Sequence, residues 1–225
     1  LWTDGRYFIQ ATAQLEGTTV ELMKMGEPGV PEMNAYIEEV LKEGETLGFD
    51  GRVVSVGEGE GYAAIAGKKN AKVNYQVDLI DEIWEDRPVL SEEPAFNLDV
   101  KYAGETVASK LARIREEMKE AGTNVHVVST IDDICWTLNI RGNDIDFFPL
   151  VLSYGIITMD SFELYIDERK LDDKLKAKLA KDGVNLHPYN DIYEDVKKFG
   201  SDVVAMIDPG KPVSYTHLRA HETEA

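Results

Sequence analysis

The sequence has little of what several classes of protein require. Its single cysteine, Cys135, cannot form an internal disulfide, which suits a reducing compartment. No apolar run approaches the roughly 18 residues that a membrane-spanning helix needs, so no membrane partner is expected. The 24 lysines and arginines are outnumbered by 42 acidic residues, which gives a formal net charge of −18. Such a chain repels a phosphate backbone, so we expect no nucleic-acid partner.

Patterns that carry catalysis or metal binding are also scarce. No serine is accompanied by a histidine in a triad-like motif, so nucleophilic catalysis has no support. His126 falls in an apparent strand and His187 precedes Pro188, and neither has neighbouring ligands at a metal-binding spacing. We interpret both histidines as structural and expect no cofactor in this chain. We interpret Cys135 as a small buried hydrophobe on a helix face.

Apolar residues are plentiful enough for real cores, at 43% of 225 positions. Short predicted strands and helices alternate through residues 1–88, and the same alternation resumes after residue 104. This rhythm predicts two tandem α/β domains over 1–88 and 105–212, joined by a proline-containing linker over 89–104. The tail, 213–225, joins no pattern and resembles a translated adapter sequence. We expect it to be non-native and assign no function to His217 or His221.

The predicted elements follow from periodicity and from turn residues. In the first half, strands are predicted at 1–3, 6–9, 18–25, 46–49, 52–56 and 71–77, and helices at 31–41, 62–69 and 78–85. In the second half, helices are predicted at 105–121, 171–181 and 191–199, and strands at 125–129, 161–167, 185–188 and 202–207. The tetrapeptide Asp4-Gly5-Arg6-Tyr7 is interpreted as a structural turn.

The stretch 131–158 is the segment around which the chain is organised. It predicts a helix over 132–138 with Asp132 and Asp133 as its cap, a polar turn over 141–144, and a buried strand over 147–158. Arg141 could hold a carboxylate in two-point geometry. The alternative is a turn that is locked by a pair between Arg141 and Asp144.

A glycine-rich segment offers a second candidate site. Gly59, Gly61 and Ala64 follow a predicted strand with G-x-G-x-x-A spacing, and Asp78 lies about 20 residues on, as dinucleotide sites require. However, Glu58 and Glu60 would place two carboxylates beside a pyrophosphate. We therefore favour a plain glycine-rich turn whose acidic residues suit the start of a helix.

Three motifs carry a resemblance to a known family. LWTDGRYFIQA at residue 1, DLIDEIWEDRP at 78–88 and NIRGNDIDFFPLVLSYGIIT from residue 139 resemble the three-domain, cytosolic-type Xaa-Pro aminopeptidases, or aminopeptidase P, of the creatinase/prolidase superfamily. The I-W-x-x-R-P junction between tandem domains favours this group over creatinases and prolidases, which have one such domain. The resemblance covers most of the chain as far as Asp208.

The resemblance implies a fold, an activity and a set of partners. It implies two creatinase N-terminal-like domains, each a mixed sheet flanked by helices in a ribonuclease H-like arrangement, the first one truncated. The metallopeptidase activity of the parent, a hydrolase of the M24 peptidase family, would belong to a C-terminal catalytic domain with two divalent metals, typically manganese. That domain removes the residue before proline from peptides, in the cytoplasm and in a homo-oligomer.

The leading hypothesis is that this chain is the non-catalytic N-terminal region of such an aminopeptidase. It would shape the substrate entrance and aid assembly, with Arg141 as the contact residue and Asp144 fixing its loop. Because none of the family's metal ligands falls in the chain, no catalytic residue is assigned and the chain alone is not expected to hydrolyse peptides. The alternative is a free-standing acidic α/β module that binds a nucleotide at Gly59 to Gly61, or a protein partner on a sheet edge.

Overall fold

A computed structural model describes residues 1–208, and the tail that was expected to be non-native lies outside the described residues. The described chain forms two compact units. One contains Leu1–Phe49 and Glu58–Val77, and the other contains Asp50–Gly57 and the chain from Asp78 onwards. The domain boundaries derived from the sequence stay predictions. None of the helices over residues 1–208 is long and apolar enough to cross a membrane.

The first unit is built from short elements. Its helices are α1 (Phe8–Leu15), α2 (Met33–Val40) and all but the first two residues of α3 (Val56–Lys68). Its strands are β1 (Trp2–Thr3), β2 (Met23–Lys24), β3 (Thr46–Gly48) and β4 (Lys72–Asn74). Strands β1 and β2 pair in parallel, as do β3 and β4, so each sheet has two strands. A small core forms from Leu41, Ile65 and Ala66. Two-stranded sheets are marginal by themselves, so this core has to stabilise the unit.

Three predictions in the first half are wrong. The strand predicted at 6–9 is helical, with Arg6 and Tyr7 in a 3-10 turn and Phe8 at the start of α1. The following Ala-Thr-Ala-Gln-Leu favours a helix and places Phe8, Ala11 and Leu15 on one face. The strand predicted at 52–56 is a turn that leads into α3. The helix predicted at 78–85 is a run of turns, although the Asp78 side chain accepts hydrogen bonds from the backbone N–H groups of Ile80 and Asp81 as a helix N-cap would.

The turn predicted at the start of the chain is confirmed. Residues Gly5–Tyr7 form one turn of 3-10 helix, and Asp4 precedes it as the N-cap. The Asp4 carboxylate accepts hydrogen bonds from the backbone N–H of Arg6 and from its guanidinium, at 2.8 to 3.0 Å. These hydrogen bonds lower the pKa of Asp4 to about 2. The motif therefore serves the local backbone.

The second unit contains the main sheet of the molecule. Its strands are β5 (Phe96–Asn97), β6 (Val125–Val128), β7 (Ile140–Arg141), β8 (Tyr154–Thr158), β9 (Phe162–Tyr165), β10 (Val184–His187) and β11 (Ala205–Met206). Five of them form a mixed sheet in the order β10-β9-β8-β6-β11, with β8 antiparallel to both of its neighbours. Strand β5 pairs with β7 in a separate antiparallel ribbon. The mixed α/β fold inferred from the sequence is confirmed.

Helices pack on both faces of this sheet. The helices of the second unit are α4 (Val100–Ala103), α5 (Val107–Glu120), α6 (Ile131–Leu138), α7 (Asp173–Lys181) and α8 (Ile192–Asp195). Helices α5, α6 and α7 contribute to one buried cluster and α8 to another, so the two faces have separate cores. The predicted apolar face of α5 is confirmed at Val107, Leu111 and Met118, and Gly122 follows the helix with a φ of +70°.

The predicted linker, residues 89–104, contains regular secondary structure. The segment contains β5 and α4, and the backbone N–H of Ala95 donates to the carbonyl of Lys170 at 2.9 Å.

Two expectations fail at the edges of the central stretch, 131–158. The strand predicted at 147–158 begins only at Tyr154, because Phe147 has a left-handed backbone and Pro149 has no N–H to donate. Helix α6 begins at Ile131 after Thr130, so Asp132 and Asp133 lie in its first turn and not at the cap.

Candidate functional site

The chain leaves helix α6 at a sharp corner that leads into the polar loop. Asn139 follows the helix with a φ of +52°, a left-handed conformation that asparagine tolerates better than most residues. Its side-chain N–H₂ donates to the carbonyl of Glu105 at 2.9 Å, so the corner is tied to the start of α5. The corner therefore sets the direction of β7 and of the loop behind it.

Arg141 lies on β7 and turns back onto the end of α6. Its Nη1 donates to the carbonyl oxygen of Cys135 at 2.8 Å and to that of Ile140 at 2.7 Å. A cation is favourable at this end of a helix because the last carbonyl groups have no partner within the helix. Within the described residues both hydrogen bonds of the guanidinium use Nη1. Its remaining N–H groups form no hydrogen bond with residues 1–208.

A buried lysine supports the same helix end. Lys110 of α5 is 1% exposed, and its Nζ donates to the Trp136 carbonyl at 2.6 Å and to Asn139 Oδ1 at 2.7 Å. The same Nζ lies 4.2 Å from the centre of the Trp136 ring. Burial lowers the pKa of Lys110. The end of α6 is thus held by two cations, Lys110 from α5 and Arg141 from β7.

Gly142 is required by close packing and not by its backbone angles. A Cβ at this position would lie 2.7 Å from Val151 Cγ2 and 3.3 Å from the Leu150 carbonyl oxygen. The thiol of Cys135 approaches the same strip of chain and accepts the N–H of Val151 at 3.4 Å. Burial raises the pKa of this thiol, and Cys135 is fully buried, which confirms the interpretation of it as a small core residue.

Asp144 forms a buried ion pair. Its Oδ2 lies 2.6 Å from Lys170 Nζ, and the two side chains are 1% and 2% exposed. The same Oδ2 accepts the backbone N–H of Leu152 at 2.7 Å, while Oδ1 is the one buried side-chain polar atom of residues 1–208 without a hydrogen-bond partner. The turn locked by an Arg141–Asp144 pair is therefore wrong, because each residue is engaged elsewhere. Asp144 fixes the loop through Lys170 and Leu152.

The far side of the loop is apolar and exposed. Ile145 and Phe148 form an isolated antiparallel bridge, and Phe147 between them has a φ of +66° with its side chain fully in solvent. We name the exposed residues Ile145, Phe147 and Phe148 the loop tip. The motif N-x-R-G-x-D thus builds a rigid base, and the loop tip projects from it.

The glycine-rich segment forms neither the dinucleotide site nor the plain turn that the sequence suggested. Gly59 and Gly61 lie inside helix α3, which begins at Val56, so the plain glycine-rich turn is wrong. A phosphate site would need these glycines at a junction between a strand and a helix, and the segment before α3 is a turn. The free-standing binding module that depended on this site is not favoured.

Both described histidines have protein partners. His126 Nδ1 lies 3.1 Å from the carbonyl oxygen of Met206, and His187 Nε2 lies 2.6 Å from Glu163 Oε2. Within residues 1–208, no group of three or more histidine, cysteine or acidic side chains is arranged to hold a metal ion. The side chains present therefore do not fit a di-metal centre, and no chemical step through a metal is derived from them.

The sequence analysis missed three residues that build the site. Lys110 falls between Val107 and Leu111 on the apolar face of α5, a position that could have identified it as buried. Asn139 directly follows a helix and could have been predicted as its left-handed end. Lys170 gave no such signal, because it follows the charged residues Asp167, Glu168 and Arg169 and looks like part of a solvated turn.

Comparison with known proteins gives this site its context. A family model of the creatinase/prolidase N-terminal domain matches residues 86–224, which include the whole of the loop. The chain belongs to this family. The family assignment covers the five-stranded sheet and the Asn139 to Asp144 motif together, so the resemblance noted in the sequence is confirmed.

Individual relatives of this creatinase-family chain are peptidases by name. Aminopeptidase P2 of Arabidopsis thaliana is 39% identical over the full chain, which covers 34% of that protein. Xaa-Pro aminopeptidase app-1 of Caenorhabditis elegans is 37% identical over 86% of the chain, which covers 32% of that protein. The chain thus spans about a third of the length of the curated relatives that it matches.

A solved structure is similar over almost the whole chain. X-prolyl aminopeptidase from Caenorhabditis elegans, described as a cytosolic enzyme with a di-nuclear active site, matches with a TM-score of 0.87 and 32% sequence identity. The match covers 95% of this chain and 36% of that protein. Both units therefore have counterparts in a much longer peptidase.

Proposed function

We propose that this chain is the non-catalytic N-terminal region of a metal-dependent Xaa-Pro aminopeptidase. The supporting observation is the similarity of 95% of the chain, at a TM-score of 0.87, to a solved X-prolyl aminopeptidase. The substrate would be a peptide with proline at its second position. Two divalent ions, which we propose to be manganese, would be held by a C-terminal catalytic domain of the same polypeptide. The full-length enzyme would act in the cytosol as a homo-oligomer.

In this proposal the N-terminal region shapes the entrance for substrate and aids assembly. Arg141 holds the end of α6 with Nη1, and its other N–H groups donate to a carboxylate of the substrate or of the catalytic domain. Asp144 fixes the loop through its buried pair with Lys170. The 530 Å³ pocket beside Lys170 is lined by apolar residues such as Leu152 and Ile166 and by charged ones such as Glu92 and Arg169. It lies in the same unit and offers further surface for such a contact.

The activity is tested on the polypeptide that the complete gene encodes. We expect this protein to release the first residue from peptides that begin X-Pro, to lose that activity with a chelator and to regain it with manganese. The 225-residue chain assayed beside it should be inactive, because residues 1–208 contain no metal-ligand group. A full-length protein that leaves X-Pro peptides intact under these conditions would contradict the proposal.

The role of Arg141 is tested by comparison with a second arginine, Arg115, that makes the same kind of hydrogen bond. Arg115 also donates to backbone carbonyl groups, those of Thr158 at 2.8 Å and Ser161 at 3.0 Å. In the full-length enzyme we expect Arg141→Gln to raise KM or lower kcat by about tenfold, the effect of losing one charged contact of roughly 1.4 kcal/mol. Arg115→Gln should lower stability and leave both kinetic constants near their original values.

These two variants distinguish a contact with the substrate or the catalytic domain from a role in stabilising the fold. If Arg141→Gln lowers only thermal stability, as Arg115→Gln is expected to do, then Arg141 serves the fold and not the substrate. If neither stability nor kinetics change in Arg141→Gln, then the proposed role of the residue is wrong in both respects.

A further inference from the structure

The loop tip contains a feature that the fold of this chain does not use. Phe147 has a backbone φ of +66°, which bulky side chains rarely adopt, and its ring is 102% exposed. Phe148 beside it is 62% exposed and Ile145 is 38% exposed. A phenylalanine that is held in an unfavourable conformation and gains no burial points to a contact outside the described residues.

The loop tip is held rigidly in place. The chain enters and leaves it through paired backbone, since Asp144 N–H donates to the Leu150 carbonyl at 3.3 Å and Gly142 N–H to the Pro149 carbonyl at 3.4 Å. Phe148 N–H donates to the Ile145 carbonyl at 3.1 Å within the tip itself. Because these bonds order the backbone in advance, little conformational entropy remains to be lost when the tip binds.

We propose that the loop tip inserts into an apolar recess on the remaining two thirds of the same polypeptide, the part that relatives have and residues 1–208 do not include. This inference rests on the proposed function and identifies Phe147, with Phe148, as the contact between the N-terminal region and the catalytic part. Asp144 acts through the tip by holding its base in position.

The size of the loop tip favours a partner in the same chain over a second copy. Two phenylalanines and an isoleucine offer about 500 Å² of surface at most, at roughly 150–250 Å² for each aromatic ring. A stable interface between separate molecules needs about 800 Å² on each partner. A tethered partner needs less, because a short linker supplies a millimolar effective concentration.

The first test places a photo-reactive phenylalanine analogue, benzoylphenylalanine, at Phe147 of the full-length protein. After illumination we expect a cross-link to residues that follow this N-terminal region in the same polypeptide, located by mass spectrometry of the digest. The matched control carries the analogue at Tyr102, which is 73% exposed on α4 of the same unit. A cross-link between two polypeptides, or a yield at Phe147 no higher than at Tyr102, would overturn the inference.

A second test separates the loop tip from the fold of its own unit. Phe147→Gly removes the ring and suits the left-handed backbone, so the melting temperature of the 225-residue chain should stay the same or rise. In the full-length protein the same variant should make the amides of residues 143–148 exchange at least tenfold faster. Equal exchange in the full-length variant and its parent would overturn the inference.

Peptidase activity measured on the same samples keeps the two proposals apart. Hydrolysis of X-Pro peptides with no cross-link from Phe147 would leave the proposed function standing and reject the role of the loop tip. A cross-link from Phe147 within the polypeptide, in a protein that does not hydrolyse X-Pro peptides, would support the role of the loop tip and reject the proposed function.

Discussion

At the scale of single residues, the buried pair between Asp144 and Lys170 decides whether the loop forms. We predict that Asp144→Asn lowers the free energy of unfolding of the second unit by about 3 kcal/mol, because it leaves a buried ammonium group without its counter-charge. The change also weakens the acceptor for the Leu152 N–H. The slowest-exchanging amides of the central sheet measure this free energy.

Two further variants test whether the loss of stability comes from the buried ion pair. Glu116→Gln breaks the pair with Lys119, whose side chains are 69% and 58% exposed, and should cost less than about 1 kcal/mol. Replacing Asp144 and Lys170 together, with Asn and Met, should restore much of the loss because no unpaired charge remains. If Asp144→Asn costs no more than Glu116→Gln, the pair contributes nothing measurable.

The loop also shows which residues a sequence reveals. Gly142 and Asp144 could be identified as special from spacing, and Asp144 was assigned the right task of fixing the loop. Its partner could not be found, because Lys170 lies 26 residues further along the chain in an unremarkable charged turn. The Arg141–Asp144 pair looked plausible because the two are close in sequence. Sequence proximity failed there because Arg141 is on a strand and reaches backwards to the end of α6.

At the scale of secondary-structure elements, a tyrosine cluster joins β8 to the segment around α8. The hydroxyl groups of Tyr154 and Tyr193 lie 3.0 Å apart, and the ring centres of Tyr154 and Tyr189 lie 5.1 Å apart. Burial raises the pKa of Tyr154 to about 12, and burial also raises the pKa values of Tyr189 and Tyr193. The packed cluster therefore favours the neutral phenol.

This cluster predicts a loss of stability in alkali. An unfolded tyrosine loses its proton near pH 10, whereas folded Tyr154 keeps its proton until about pH 12. Between these values the unfolded state binds fewer protons, so stability falls as pH rises. For Tyr154 alone we expect a loss of about 1 kcal/mol between pH 9 and pH 11 in urea unfolding. Tyr154→Phe should be less sensitive to pH over this range, and an unchanged slope would contradict the assignment.

Long periodic elements could be predicted from the sequence, and short apolar ones could not. Helices α5 and α7 were expected close to their observed bounds, because their apolar residues repeat every three or four positions. Residues 147–153 looked like the start of a buried strand because they are apolar. Periodicity cannot tell a buried strand from an exposed loop tip, and only tertiary contacts place Phe147 in solvent. The turns at 78–85 were misjudged for a related reason, since the segment is short and its apolar spacing alone does not establish a helix.

At the scale of the whole molecule, the two units differ greatly in how much they bury. In residues 1–87 the buried apolar side chains are Ala11, Leu41, Tyr62, Ile65 and Ala66, and all the others lie at or beyond Ala95. The first unit has two sheets of two strands, whereas the second has a sheet of five. Since buried apolar area is the main source of folding free energy, the two units should not be equally stable.

We therefore predict that residues 1–87 unfold more readily than residues 105–208. In native-state hydrogen exchange of the 225-residue chain, the slowest amides of β3 and β4 should exchange at least about tenfold faster than those of β6 and β9. Mild urea should widen this difference by opening the first unit before the central sheet. Equal protection in both halves would mean that the units unfold together, and that the small cluster around Leu41 and Ile65 shares in the stability of the larger core.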